Sequence, residues 1–280
     1  MVEDLRSERK GKLLEVKDLP TLPKVLDEVA KLVEKPDTTM DQVADLISTD
    51  QVLTAKVLKM VNSPIYGFPG RISSISHALM LLGFNVLRGI IVSTSVFDVM
   101  TENMEGLWEH SLGCALATST VARQLDLPDP EEYSVAGLLH DIGKVVATVQ
   151  LPELKKEIET LVREKDVSYL EAEKELLGFG HDRINAWLSD HWKLPPNIKE
   201  GLGYHHKPQL ARLYPDMAHA VHLGDFFVRV FEYGSGGDDN VTYLRPETLK
   251  HFKLKPADLE KMLNHLSGQF VEIADLSFSS

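Results

Sequence analysis

The chain is expected to fold as an all-α protein, and three observations predict it. Apolar residues recur at helical spacing along most of its length. Capping patterns open several of those runs. No segment alternates convincingly at period two, and no Asn-Gly or Asp-Gly hairpin turn occurs.

Taken in order, Thr39-Met40-Asp41-Gln42 reads as a capping box, because the threonine hydroxyl and glutamine side chain satisfy orphan amides reciprocally. Val43, Leu46 and Ile47 then share one face. Leu53, Val57, Met60 and Val61 repeat at helical spacing until Asn62-Ser63-Pro64 ends the run. Ser73 or Ser74 opens the next helix, which carries Ile75, Leu79 and Leu82 and stops at Gly83. Asn85 starts another. Residues 153–177 are rich in Glu and Lys over an inner face of Leu154, Ile158, Leu161, Val162, Leu176 and Leu177. Gly234 to Asn240 reads as a flexible, solvated surface connection, and Pro256 to Phe270 as a final helix.

Composition narrows the function classes. With 280 residues the chain has ample length for a large core. A net charge of −12 disfavours nucleic acid and anionic membrane surfaces as partners. Cys114 is the single cysteine, so no internal disulfide can form and a reducing cytosol is the simplest home. The charged N-terminus lacks an apolar signal core. No apolar run reaches membrane-spanning length on this reading; even the stretch around Gly89 to Val96 is too short. The expected location is cytoplasmic.

The most informative stretch is Ala136-Gly137-Leu138-Leu139-His140-Asp141-Ile142-Gly143-Lys144. His140 and Asp141 stand in a small, apolar segment, where two buried polar groups are costly unless something satisfies them. A metal is the natural candidate, since imidazole and carboxylate are both ligands of first-row metals. Adjacent helical positions point about 100° apart, so the pair reaches one ion or brackets two. Their company is His110 upstream, then His181, His205 with His206, and Asp225. So much imidazole with a shared carboxylate suits Fe or Mn, and after them Ni or Zn, better than Mg or Ca.

That order of ligands resembles the HD superfamily of metal-dependent phosphohydrolases, in particular the longer set of its HD-GYP branch. The N-terminal third sharpens the match. Leu19-Pro20-Thr21-Leu22-Pro23, Leu46-Ile47-Ser48-Thr49-Asp50, Val61-Asn62-Ser63-Pro64-Ile65-Tyr66-Gly67 and Leu81-Leu82-Gly83 resemble the signature of the HDOD family, the HD-related output domains of bacterial signalling proteins. Gln51 departs from the proline usual in that family. The resemblance implies an N-terminal helical lobe over residues 13–100 and an HD-like metal-binding lobe over residues 101–280. It also implies that His110, His140 and Asp225 serve one ion and His181, His205 and His206 another, with Asp141 able to bridge the two. The competing reading keeps these residues as helix pins around a site that has lost its metal.

Catalysis is a separate question. Lys144, at i+4 from His140, is placed to meet a substrate phosphate as a point charge, and Asp141 with Lys144 would be the catalytic pair of an active enzyme. Against this, Lys207-Pro208-Gln209 follows the histidine pair in place of the Glu and Gly-Tyr-Pro loop of the cyclic di-GMP phosphodiesterases. Asn185 stands where the HD-GYP pattern commonly has glycine. His219 and His222 lie at helical spacing from Asp225 but read as supporting or core groups. The expected function is a signalling output or interaction protein with a protein partner and little or no catalysis. The alternative is a metal-dependent phosphohydrolase with a nucleotide or other phosphoester ligand.

Overall fold

A computed structural model describes residues 2–14, 24–33, 35, 37–241 and 243–273. The Leu19–Pro23 motif lies outside the described residues. Helices, joined by turns and one 3₁₀ segment (Pro208–Leu210), make up the fold, and no strand occurs among the described residues. The helices are α1 (Val2–Leu14), α2 (Lys24–Val33), α3 (Met40–Ser48), α4 (Gln51–Val61), α5 (Ile75–Asn103), α6 (Leu107–Gln124), α7 (Pro130–Leu139), α8 (Ile142–Gln150), α9 (Pro152–Lys165), α10 (Tyr169–Leu177), α11 (His181–His191), α12 (Pro196–Tyr204), α13 (Pro215–Val230), α14 (Pro246–His251) and α15 (Pro256–Ile273).

Local signals explain many of these boundaries. Thr39 accepts from the Gln42 amide while Gln42 Oε1 accepts from the Thr39 amide, completing the expected box. Ser168 and Glu171 form a second one at the start of α10. Ser74, rather than Ser73, caps α5. Proline opens α7, α9, α12, α13 and α14, where its missing N–H would have had no helical partner. Asn62 does more than end α4: its amide donates to Ile72 O and its Oδ1 accepts from Ile72 N, both at 2.7 Å, closing the 62–72 loop.

Gly83 has φ +73° and ψ 171° and breaks the helical path where a stop was expected. A second helical run follows at once and reaches Asn103, as the stop at Gly83 and the new start at Asn85 anticipate, so α5 is two helices joined across a kink. By length and composition alone it could cross a membrane. Most of its apolar stretch is buried within the protein, with Leu87, Ile90 and Ile91 wholly enclosed. That is the behaviour of a core helix. It packs on α3 and α4 on one side and on α6, α7 and α8 on the other.

The heart of the C-terminal half is α6 held between α7 and α13, with α12 against α7, α11 and α13, and α8 against α11. Gly137 makes the α6–α7 approach feasible, because a Cβ there would stand 2.5 Å from Cys114 O. One contiguous apolar core runs from α1 to α15.

Candidate metal centre

The site is assembled at helix ends. His140 caps the C-terminus of α7 and Asp141 the N-terminus of α8, so the adjacent pair straddles a helix junction rather than lying within a helix. His181 is the first residue of α11, His205 caps α12 with His206 just beyond, and His110 and Asp225 project from α6 and α13. Gly143 lets α8 and α11 meet: a Cβ would stand 2.5 Å from His181 O.

All seven residues converge. His110 Nε2 lies 3.1 Å from Asp225 Oδ1, 3.7 Å from Asp141 Oδ2 and 3.3 Å from His140 Nε2. His140 Nε2 is 3.4 Å from Asp141 Oδ2. On the opposite side of the same carboxylate, His181 Nε2 lies 3.0 Å and His205 Nε2 4.0 Å from Asp141 Oδ1. His206 Nε2 is 2.8 Å from His181 Nε2. Two ligand groups result, His110–His140–Asp225 and His181–His205–His206, each with its ligand atoms within 4.8 Å of one another. Asp141 presents one oxygen to each.

The donor chemistry fits metal ions. His140 Nδ1 is 2.8 Å from Gly137 O and His205 Nδ1 is 2.8 Å from Leu202 O. A carbonyl only accepts, so each Nδ1 carries a proton, and in the neutral ring each Nε2 has its lone pair turned inward, available to a metal. Buried lone pairs facing one another and a carboxylate need a cation between them. Consistently, Asp141 Oδ1 and His205 Nε2 are buried without a hydrogen-bond partner. Burial works against charge on Asp141, but His140 and Lys144 hold its carboxyl well below the ordinary range. Burial, reinforced by the neighbouring imidazoles, pushes His205 and His206 well below the usual histidine value.

Supporting groups surround this cluster, and one of them, Glu173, is absent from the sequence reading. Glu173, wholly buried on α10, takes hydrogen bonds at Oε2 from the His181 amide (2.8 Å) and from Nδ1 (2.6 Å). The available signal was a carboxylate on the apolar face shared by Tyr169, Ala172 and Leu177. Asn185 donates to His140 O and Leu202 O and accepts from Gly143 N, tying α11 to the His-Asp junction. His222 donates from Nδ1 to His205 O, 2.8 Å away. His219 faces Thr248 Oγ1 and not the site.

The Gly234–Asn240 connection is not the solvated loop expected of it. It is strapped across the site: Ser235 N donates to Gly106 O, and Arg229 links Asp225 to Asp238 at 3.0 Å each. Asp238 also accepts from Tyr169 N. Lys144 is 1% exposed, and its Nζ donates to Asp141 Oδ2 and Gly236 O, each 2.7 Å away. Beside the strap, a cavity of about 360 Å³ reaches Lys144, His181 and His206.

Residues 19–208 match the HDOD domain family. An uncharacterised protein of Treponema pallidum (strain Nichols) is 28% identical over 228 residues, covering 78% of this chain and 43% of the relative. The uncharacterised protein YuxH of Bacillus subtilis (strain 168) is 30% identical over 161 residues, 56% of this chain and 36% of the relative. The chain thus spans less than half the length of these curated relatives. An HDOD domain protein of unknown function from Geobacter sulfurreducens aligns with a TM-score of 0.66 at 28% identity, covering 99% of this chain and 94% of the other. A candidate phosphohydrolase from Shewanella amazonensis SB2B aligns at 0.67 and 26% identity, covering 94% and 96%. Fold, site and sequence agree that the chain belongs to the HDOD family.

Proposed function

We propose that this protein is a cytoplasmic signal-transduction output and interaction module whose HD-like lobe, residues 101–280, holds two transition-metal ions, Fe or Mn ahead of Ni or Zn. It hydrolyses phosphoesters slowly or not at all. The observation that carries the metal reading is the set of inward-facing imidazole lone pairs grouped on the two oxygens of Asp141. When bound, such ions would polarise a phosphoryl oxygen and acidify a bound water.

The chain's own residues are arranged to hold ions more than to turn over substrate. Asp141 spans both ligand groups, and Arg229 fixes Asp225. Lys144, the cation assigned to a substrate phosphate, is already engaged by Asp141 and Gly236 beneath the strap. Lys207-Pro208-Gln209 replaces the loop of the active cyclic di-GMP branch.

One observation favours a second reading, a metal-dependent phosphohydrolase. The cavity beside His181 and His206 has Lys174 and Arg245 in its wall, which can meet an anionic phosphoester, although Asp166, Glu171 and Asp238 line it too. The Shewanella relative carries phosphohydrolase in its name.

The test is metal analysis of protein purified without chelators, compared with His140→Ala, followed by incubation of Mn- or Fe-loaded protein with cyclic di-GMP and a chromogenic phosphodiester. The expected result is two ions in the wild type, fewer in the variant, and slow or no turnover. Rapid hydrolysis that disappears in Asp141→Ala would install the phosphohydrolase reading. Protein that holds no metal under any loading condition would leave only the interaction module.

A further inference from the structure

Three of the candidate ligand histidines orient themselves through Nδ1, and they do so in two ways. His140 and His205 sit at helix C-caps, and each donates to the carbonyl three residues back, Gly137 O and Leu202 O, within the last turn of its own helix. His181 opens α11, so no preceding turn exists to supply a carbonyl. Its acceptor comes from another helix and is a carboxylate, Glu173 Oε2, at 2.6 Å from Nδ1.

Glu173 has no exposure to solvent, its second oxygen Oε1 is buried without a hydrogen-bond partner, and among the described residues no cation lies within salt-bridge distance apart from the His181 ring. A carboxylate in such a place costs the fold several kcal/mol unless positive charge compensates it. An imidazole that binds a cation through Nε2 supplies that charge through the ring. The ligand group His181–His205–His206 contains no carboxylate of its own and shares only Asp141 Oδ1.

We infer that Glu173 is the positioning residue of the three-histidine ion site: its carboxylate fixes the His181 tautomer and adds negative charge to a site whose only other anionic group is the shared Asp141. This rests on the metal reading above. It makes the two ion sites unequal, because the His110–His140–Asp225 group has a carboxylate ligand of its own and gains nothing from Glu173. Loss of the Glu173 charge should therefore release one ion and leave the other.

The test compares wild type with Glu173→Gln, which keeps the shape of the side chain. Both proteins are loaded with Mn, dialysed against a graded series of chelator, and read by metal stoichiometry and by the electron paramagnetic resonance of the Mn pair. The expected result is that the affinity for the ion of the three-histidine group falls about 10–100-fold. The variant then passes through a one-ion state whose spectrum has lost the exchange-coupled signal. A second measurement needs no variant. In Zn-loaded wild type labelled at histidine nitrogen, the His181 Nδ1–H resonance should lie downfield of those of His140 and His205, whose acceptors are neutral carbonyls. The inference is overturned if Glu173→Gln keeps both ions with wild-type affinity and spectrum, or if the three Nδ1–H resonances coincide. Wild type that binds no metal overturns the metal reading as well, which separates the two failures.

Discussion

Asn185 offers a sharp test of what holds the site together. Its side chain makes three buried contacts: Oδ1 accepts from Gly143 N at 2.7 Å, and Nδ2 donates to His140 O and to Leu202 O. In Asn185→Ala the Leu202 carbonyl keeps the His205 Nδ1 proton as a partner. The Gly143 amide, at the start of α8, and the His140 carbonyl are the groups stranded. Each buried orphan costs about 1–3 kcal/mol, so the variant should lose about 2–6 kcal/mol, a large share of a typical 5–15 kcal/mol total. Asn185→Asp should be no better. It retains an acceptor for Gly143 but turns a carboxylate on two carbonyls. Urea unfolding followed by circular dichroism measures the loss as a lower midpoint at unchanged slope. If both variants unfold within 0.5 kcal/mol (about the spread of surface substitutions) of wild type, these bonds do not brace the His-Asp junction.

Three further outcomes are expected. Asp141→Ala should cut metal content sharply by elemental analysis, since one carboxylate faces both ligand groups, and retention of two ions would contradict the shared-oxygen geometry. Arg229→Met removes the cation between Asp225 and Asp238, both nearly inaccessible, and should cost metal-free protein about 3–5 kcal/mol in urea; an unchanged midpoint would show that the strap is not held by charge. His219 is pushed down to about 4, first by burial and then by His251 and His222. The unfolded chain therefore takes up this proton first as pH falls from about 6.5, and stability that is complete above that value drains away toward pH 4, by about 3 kcal/mol at most. His219→Gln should flatten the stability profile across that window and leave it unchanged above pH 7; an equal slope in both proteins would refute the assignment.

What was legible in the sequence is what chemistry close along the chain decides. The Thr39–Gln42 box, the break at Gly83 and the prolines that open helices act over a turn or less, so periodicity and capping rules reach them directly. The seven candidate ligands were also named from sequence, because imidazole and carboxylate in a small, apolar setting are conspicuous and their order matches a family. Their grouping around Asp141 is geometry that only packing produces, through helix ends brought together where Gly137 and Gly143 admit a neighbouring backbone.

The tertiary structure alone decided the supporting shell. Glu173 lies eight residues from His181, Asn185 reaches 45 residues back to His140 O, and Lys144 reaches 92 forward to Gly236 O. No local rule scores such pairs. A Glu in a Glu- and Lys-rich helix looks solvated until the helix docks, and a Gly-rich connection looks free until Arg229 and Gly106 capture it. Local signals set where helices start and stop because backbone hydrogen bonding is settled within a turn. The fate of a charged side chain is settled by desolvation, and that depends on which surfaces the folded chain brings against it.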